Sequence, residues 1–481
     1  MVEEDQPQGA GRDQPLSAPQ TGLESDPVAY DWVPPWIARH FRGGSVRARM
    51  AKGVAWSVMT GVMTRGLFVL VGIVVARLLR EEAFGKWAIV QSTVGLLSNF
   101  AGMGIGQTLT KHIAELRKTD PQRAGRVTAM AGELAVISNL VIGIGCLASA
   151  GVIARRVLNA PDMAVPLALS SLMATATVLS TVFQCALAGF EAFRQIAFIR
   201  LAEMLATFAT MTALTWKFGL VGTILGFTAG QIVTIAPFVH CLRGHFREHA
   251  IKVTMAGRWR EIKLLWDYSL PSLLAALLIS PADWCSKALV AQRADGFAQM
   301  SGYGASDRWR GLVGFIPHYI RLVALPVLSQ LKGAGDVRRY RKAFLVNLAA
   351  TAVMAVAPAL MIAPFSPWVM SLYGATLAEK ASYAEKWDIL VVLLGVSVVQ
   401  SLLGVFSPLF VSHGRVWWTL WFNMLWAALL VAGAVVLVPH MGVRGLVWPL
   451  LAAYLVDLVV QAWAGWVLLR RMVREADEER S

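Results

Sequence analysis

Residues 53–76 read GVAWSVMTGVMTRGLFVLVGIVVA, an apolar run broken by one charge, Arg65. At about 1.5 Å per residue this run crosses a hydrocarbon core of about 30 Å as a helix, and Arg65 falls roughly 18 Å past Gly53, near the middle. A cation at that depth costs at least about 2.5–3.5 kcal/mol, so it is retained where it faces a polar cavity. The pattern recurs. Arg308, Arg310 and Arg321 stand in or at the edge of another apolar run, and Lys287 lies near the end of a third. Cations in such segments, with few acids, imply a cavity built for an anion, and so a transporter.

The composition agrees with a membrane protein. The 481 residues are 56% hydrophobic and 15% charged, with mean hydropathy +0.56, whereas a soluble chain carries about 25% charged residues. The runs give about twelve predicted spans: 53–76, 86–109, 128–150, 164–188, 200–217, 219–241, 268–292, 301–329, 344–365, 388–411, 417–438 and 446–469. The expected fold is all-α, with two pseudo-symmetric six-helix lobes around a central cationic cavity.

Charge orients the spans. With the N-terminus inside, the inner segments hold 29 Lys and Arg against 11 in the outer connections, which places both termini in the cytoplasm. The net charge of +14 is thus a topology signal, and no compact basic domain suggests nucleic acid. Residues 1–35 are rich in Pro, Gln, Gly and Asp and read as a disordered tail. Trp36–Met50 interleaves apolar and basic residues and suits the headgroup layer.

A repeat divides the chain. Leu116-Arg117…Arg123…Arg126 is matched by Leu331-Lys332…Arg338…Arg341 at an offset of 215 residues, and Gly219…Gly222 by Gly442…Gly445. Six spans separate equivalents, so the repeat is parallel and the substrate path lies between its halves. The boundaries follow: a tail and amphipathic lead-in at 1–50, one lobe at 51–243, a cytoplasmic linker at 244–265, a second lobe at 266–470, and a tail at 471–481.

Arg310 and Arg321, about three turns apart, share a helix stripe with Tyr303, Gly314 and Pro317, while Arg308 points elsewhere. A guanidinium fork donates two hydrogen bonds to phosphate oxygens at once. Asp283 and Lys287 are spaced for an i,i+4 pair. Asp457, alone in the last span, is a candidate for ion coupling or for pairing with a buried arginine. Glu133, Glu203 and Asp267 fall near helix ends, where water is expected to solvate them. Trp56, Trp284, Trp309 and Tyr319 lie near the charged positions and suit either sugar faces or the membrane interface.

Other chemistry finds little support. The four cysteines are scattered, with no C-x-x-C pair. His240, His245 and His249 bracket the end of the sixth span with only Glu248 beside them, and no metal is expected there. No phosphate-binding loop signature is present, so direct ATP use is not expected, and no cofactor is implied. A membrane glycosyltransferase or polymerase needs an acid in a sizeable outer loop, which only 366–387, with Glu379 and Glu385, offers.

Ala76-Arg77-Leu78-Leu79…Phe84-Gly85 resembles the turn after the first helix in the polysaccharide transporters of the multidrug/oligosaccharidyl-lipid/polysaccharide flippase superfamily, with Arg80 where that pattern has Gly. Gly102…Gly104-Ile105-Gly106 resembles the end of that family's second helix, and Gly302-Tyr303-Gly304-Ala305 the start of its eighth. The likeness runs over about 50–470. It implies a bacterial inner-membrane flippase that carries an undecaprenyl-pyrophosphate-linked oligosaccharide to the periplasmic leaflet by alternating access, and no enzyme. Arg65, Arg310 and Arg321 would hold the pyrophosphate, with Arg308 and Lys287 beside them. The implied partners are the lipid-linked oligosaccharide, membrane lipids, a polysaccharide polymerase and glycosyltransferases. Lipid II flippases, in whose first helix an arginine resembles Arg65, and drug/cation antiporters are the alternatives within the superfamily. The former typically carry two more helices, and the latter favour acidic cavities.

Overall fold

The computed structural model describes the backbone of residues 46–478 apart from 103, 334 and 335, and most side chains from Met59 onward. Side chains at 260–273, 275–276, 321–323, 325–326, 416, 473 and 475–478 are outside the described set, as are residues 1–45, which hold the expected tail and most of the amphipathic lead-in.

Every regular element among the described residues is helical. The first half comprises α1 (Val46–Gly102), α2 (Ile105–Leu116), α3 (Pro121–Val152), α4 (Ala164–Gly189), α5 (Phe193–Val233) and α6 (Ile235–Glu248). The second comprises α7 (Ile262–Ala291), α8 (Gly296–Val313), α9 (Phe315–Gly333), α10 (Val337–Ile362), the short α11 (Ser366–Ser371) and α12 (Leu377–Ala384), then α13 (Trp387–Ser412), α14 (Val416–Met441) and α15 (Arg444–Glu478). Eight of the described helical stretches are long and apolar enough to cross a membrane. Two of them are broken within, α1 at Arg80 and α5 at Gly219, and the whole set is consistent with the twelve expected crossings. Large apolar side chains such as Leu140, Val141 and Ile144 on α3 face outward, as lipid-facing residues do.

The turn at Gly219 shows why the sequence folds back there. Its φ of 56° and ψ of −134° lie outside the range that a side chain tolerates. Beyond it the chain returns along itself: Thr215 and Thr223 hydroxyls meet at 2.9 Å, and the Thr210 hydroxyl donates to the Gly226 carbonyl at 2.6 Å. Gly442, 223 residues later, has nearly the same angles, 59° and −132°, between α14 and α15. The glycine three residues on repeats as well. A Cβ at Gly222 would lie 1.9 Å from the Leu214 carbonyl oxygen, and one at Gly445 2.3 Å from that of Leu437. The small-residue ridge 222-226-230 is thus a packing surface for the preceding helix.

The basic loops repeat too, with a one-residue adjustment. Asp120 caps α3 by accepting from the Arg123 N–H at 2.9 Å, and Asp336 caps α10 by accepting from the Arg339 N–H at 3.0 Å. The caps pair Arg123 with Arg339, where the sequence spacing pairs it with Arg338. The second loop is one residue longer between its leucine and its cap.

Within each half, helices pack chiefly on their own kind: α2, α3, α5 and α6 against α4, and α7, α13 and α15 against one another or α14. Three apolar clusters result. One draws on both halves, with Phe84 and Trp87 beside Tyr373, Tyr383 and Met300. The second, around Ile105, Leu109 and Phe238, belongs to the first half, and the third, around Leu328, Tyr340 and Phe406, to the second. The halves therefore share a core at the end carrying residues 77–88 and keep separate cores at the end carrying the basic loops. Glu203 corrects its expectation: it is buried, and Arg200 donates to it at 2.7 Å. Glu133 is paired with Arg258, while the Asp267 side chain lies outside the described set.

The turn at Arg80 makes a prediction. Arg80 stands at φ 68°, ψ 175°, a region that is almost exclusively glycine's and costs about 1–3 kcal/mol for other residues. Its salt bridge to Glu379 (3.1 Å) is 59% exposed on the arginine side, so it contributes at most about 1 kcal/mol. Arg80→Gly is expected to raise the denaturation temperature in detergent by about 1–2 °C. Arg80→Ala, which keeps the strain and loses the bridge, is expected to lower it. A lower temperature for the glycine variant would mean that the bridge outweighs the strain.

Candidate functional site

A cavity of about 760 Å³ lies between the halves. Among the described residues the first half contributes only α1 to it, through Arg65 and Phe68 before the break and 88–99 after it; the remaining wall comes from α7, α8, α9, α13, α14 and α15. Two polar contacts tie its sides together. The Trp284 indole donates to the Thr93 hydroxyl at 2.9 Å, and the Asn99 amide to the Ser280 hydroxyl at 3.0 Å.

Four of the five expected cations meet here: Arg65, Lys287, Arg308 and Arg310. Arg321 lies on α9, and its side chain is outside the described set. Among the described side chains two acids line the cavity with them, Asp283 and Asp307, leaving a formal charge of +2 from four cations less two acids. The cations are not equivalent. Lys287 donates to Asp283 at 2.5 Å, the i,i+4 pair that the spacing predicts. Arg310 gives its Nε to Asp307 at 2.7 Å, so one edge of its fork is taken. Asp307 has no counterpart in the sequence reading, although its i,i+3 spacing to Arg310 is a helix-pairing signal.

Arg308 is buried and forms no salt bridge among the described residues. Its guanidinium sits 4.6 Å from the Phe68 ring centroid and 5.5 Å from that of Phe84. It donates to the Phe68 carbonyl at 3.4 Å and to Gln91 at 3.2 Å, while its Nε has no partner. It joins α8 to α1 across the halves. Arg65 is the exposed one. Its guanidinium lies 5.7 Å from the Phe315 ring centroid, and Nη1 rests over Gly311, where a Cβ would stand 3.1 Å away. No acid among the described residues forms a salt bridge with it. Arg65 thus offers its whole fork to the cavity.

The aromatic and neutral polar lining includes Tyr303, Tyr319, Tyr454, Trp426, Gln91 and Gln400. Of the aromatics near the charges, Tyr319 lines the cavity, Trp284 is buried on Thr93, and Trp309 donates to the Tyr373 hydroxyl at 3.1 Å. The Trp56 side chain is outside the described set. Asp457 is 5% exposed and does not line the cavity; one of its oxygens accepts from Gln461 at 3.0 Å and Oδ1 has no partner.

At the shared-core end, polar contacts lock the halves. Arg80 bridges Glu379 at 3.1 Å, Arg77 donates to the Leu372 carbonyl at 2.8 Å, Glu81 holds Lys386 and accepts from Ser382 at 3.1 Å, and Gln292 donates to the Val157 carbonyl at 2.7 Å. Gly85 permits this closure: a Cβ there would stand 1.7 Å from the Phe297 carbonyl oxygen. Glu379, expected to be available in the outer connection, is fully engaged. It closes a capping box with Thr376 at the start of α12 as well as pairing with Arg80. Burial pushes its carboxyl up, but the Ala375 and Thr376 N–H groups and Arg80 outweigh burial and hold it below the ordinary glutamate range. Its contribution is complete above the ordinary value of 4.5 and is lost as pH falls through the lowered one.

Residues 50–332, more than half of the chain, match the polysaccharide biosynthesis protein family. The chain is 23% identical over 372 residues to the EPS I polysaccharide export inner membrane protein EpsE of Ralstonia nicotianae, covering 74% of this chain and 81% of that protein. Among solved structures, an inward-facing multidrug resistance MATE family transporter of the MOP superfamily superposes with a TM-score of 0.71 at 18% identity, over 85% of this chain and 95% of that one. A MOP superfamily transporter from Pyrococcus furiosus, described as having a binding pocket of reversed polarity, gives 0.60 at 18% identity, over 88% and 96%. At such identities the likeness is one of fold, and it is the transporter fold that the buried cations imply. The chain belongs to the polysaccharide biosynthesis protein family and has the fold of the MOP superfamily transporters.

Proposed function

We propose that the protein flips an undecaprenyl-pyrophosphate-linked oligosaccharide from the cytoplasmic to the periplasmic leaflet of a bacterial inner membrane by alternating access. The observation that carries this reading is the cavity's charge of +2, with Arg65 offering an unpaired guanidinium. An anion with two acceptor oxygens is the group that such a fork binds best. Residues 51–243 and 266–470 act as the two lobes, joined by 244–265, with both termini in the cytoplasm. The headgroup enters between the lobes at the basic-loop end while the lipid tail stays in the bilayer. Enzymes that assemble and polymerise the lipid-linked glycan are the partners. Deleting the gene and identifying the glycans trapped in the inner leaflet by mass spectrometry tests the substrate. Unchanged lipid-linked glycan pools would remove it.

In this orientation the shared-core end faces the periplasm, and its contacts form the outer gate. The Arg80–Glu379 pair is largely exposed and the Glu81–Lys386 pair less so, so together they hold the gate by roughly 1–2 kcal/mol. The double variant Glu81→Gln/Glu379→Gln is expected to increase opening about 5–30-fold, since 1.4 kcal/mol is a factor of ten. The measurement is labelling of a cysteine placed at Ala298 by an impermeant reagent from the periplasmic side. Labelling that stays at the wild-type rate would mean that apolar packing alone closes the gate.

A further inference from the structure

We propose a zinc site at the C-terminal end of α6, built from His245, Glu248 and His249. One ligand atom from each residue lies within 4.8 Å of the others. His-x-x-Glu-His is a spacing with which helices present two imidazoles to zinc.

The hydrogen bonds around the cluster set both rings for a metal. His249 Nδ1 lies 3.0 Å from the His245 carbonyl oxygen. A carbonyl only accepts, so this nitrogen carries the proton and Nε2 keeps its lone pair. His245 Nε2 lies 3.0 Å from Gln195 Oε1. That oxygen also only accepts, so Nε2 carries the proton and Nδ1 turns its lone pair toward Glu248 Oε2, 3.2 Å away. Two acceptors facing each other at that distance need a cation between them, either a proton or a metal ion. Zinc bonds to nitrogen and oxygen of about 2.0–2.2 Å in tetrahedral geometry set neighbouring ligands about 3.3–3.5 Å apart, close to the observed separation. Each imidazole thus has the outer partner that orients a metal-binding histidine.

The rings are also held in place. Phe190 stacks on His245 with centroids 5.2 Å apart and planes at 11°, and its ring lies 5.3 Å from that of His249. Glu191 (φ 62°) and Ala250 (φ 53°), next to Phe190 and His249, are both fixed in the left-handed region. His245 is 19% exposed and Glu248 67%, so the ion reaches the site from solvent and water completes its coordination. All three ligands lie at the end of α6, and Gln195 and Phe190 join them to α5 and to the turn before it. This site is far in sequence from every cavity residue and stands independently of the transport reading.

The test uses the full chain in detergent, purified with a histidine-free affinity tag, stripped of metal and titrated with zinc alone by calorimetry. One equivalent per chain is expected. His245→Ala and His249→Ala should each weaken binding at least about tenfold, and Gln195→Ala, which loosens an orienting partner, about tenfold. His240→Ala, an exposed histidine on the same helix outside the cluster, should change nothing. Zinc should also raise the denaturation temperature of the wild type but not of the His245→Ala/His249→Ala double variant, which distinguishes a lost site from a misfolded chain. Zinc binding that persists unchanged in the double variant would overturn the proposal. So would no saturable binding in the wild type, in which case His245 is protonated on both nitrogens and donates to Gln195 and Glu248.

Discussion

Arg65→Ala is expected to lower glycan export by about two orders of magnitude while leaving the inserted protein at wild-type levels. Each hydrogen bond from a charged donor contributes about 1.5–3 kcal/mol. Losing a two-pronged contact to a pyrophosphate therefore costs at least a hundredfold if both bonds form in the transported complex. Arg65 is partly exposed to the cavity and packs only over Phe315 and Gly311, so its removal leaves no buried acid behind. Arg65→Lys should recover a small part at best, because a point charge cannot reproduce the fork. Arg310→Ala should also be severely impaired, for a different reason: it strips Asp307 of its partner and leaves an acid facing the substrate. The double variant Asp307→Asn/Arg310→Gln separates the two. It removes one charge of each sign and keeps the cavity at +2, so export should return to within several-fold of wild type. Export that stays lost in the double variant would place Arg310 in direct contact with the substrate. The measurement is complementation of an export-deficient strain, normalised to membrane-inserted protein, and full complementation by Arg65→Ala would remove that residue from the mechanism.

Much of this was legible from residues, and the missing parts have physical causes. Arg65 announces a cavity because one cation in a long apolar run has a single economical explanation. Gly219 announces a reversal because few other residues follow a long helix with a positive φ. The Lys287–Asp283 pair follows from helical spacing. The same spacing rule holds for Asp307 and Arg310, but three arginines within fourteen residues mask a single acid in the net charge of that segment. Helix rotation is harder. Gln91, Gln400 and Tyr454 line the cavity, yet in the sequence they resemble any polar residue inside an apolar run, because hydropathy reports depth and not direction. The contacts proposed as an outer gate leave no local signal for another reason. Pairs such as Glu81 with Lys386 join residues about 300 positions apart, and no local pattern encodes such a pairing. Arg80 lies between these cases: the departure from glycine was visible, and the structure supplies its meaning as a strained residue that gains a bridge to Glu379.

The energy source gives the second large effect. A pyrophosphate with about two negative charges gains roughly 4.6 kcal/mol when it moves out of a cell held at 100 mV negative inside, at about 2.3 kcal/mol per charge. That is a bias of more than a thousandfold in the distribution between leaflets. The fixed cations of the cavity do not leave with the substrate, so the bias follows the substrate's own charge. Among the described residues Lys287 and Arg310 are already paired with acids, and Arg65 and Arg308 together carry the +2 that matches the anion inside the cavity. In proteoliposomes carrying labelled lipid-linked sugar, collapsing the potential is expected to slow outward flipping at least tenfold and to abolish accumulation in the outer leaflet. Asp457→Asn should have a smaller effect, since Asp457 lies outside the cavity lining and accepts from Gln461. Its unpartnered Oδ1 makes it the residue to watch, because a buried acceptor without a donor is where a coupling proton or sodium ion would bind. If transport ignores the potential and stops with Asp457→Asn, the driving force is cation antiport through the second lobe. If it follows the potential and survives the substitution, the substrate's own charge drives it outward.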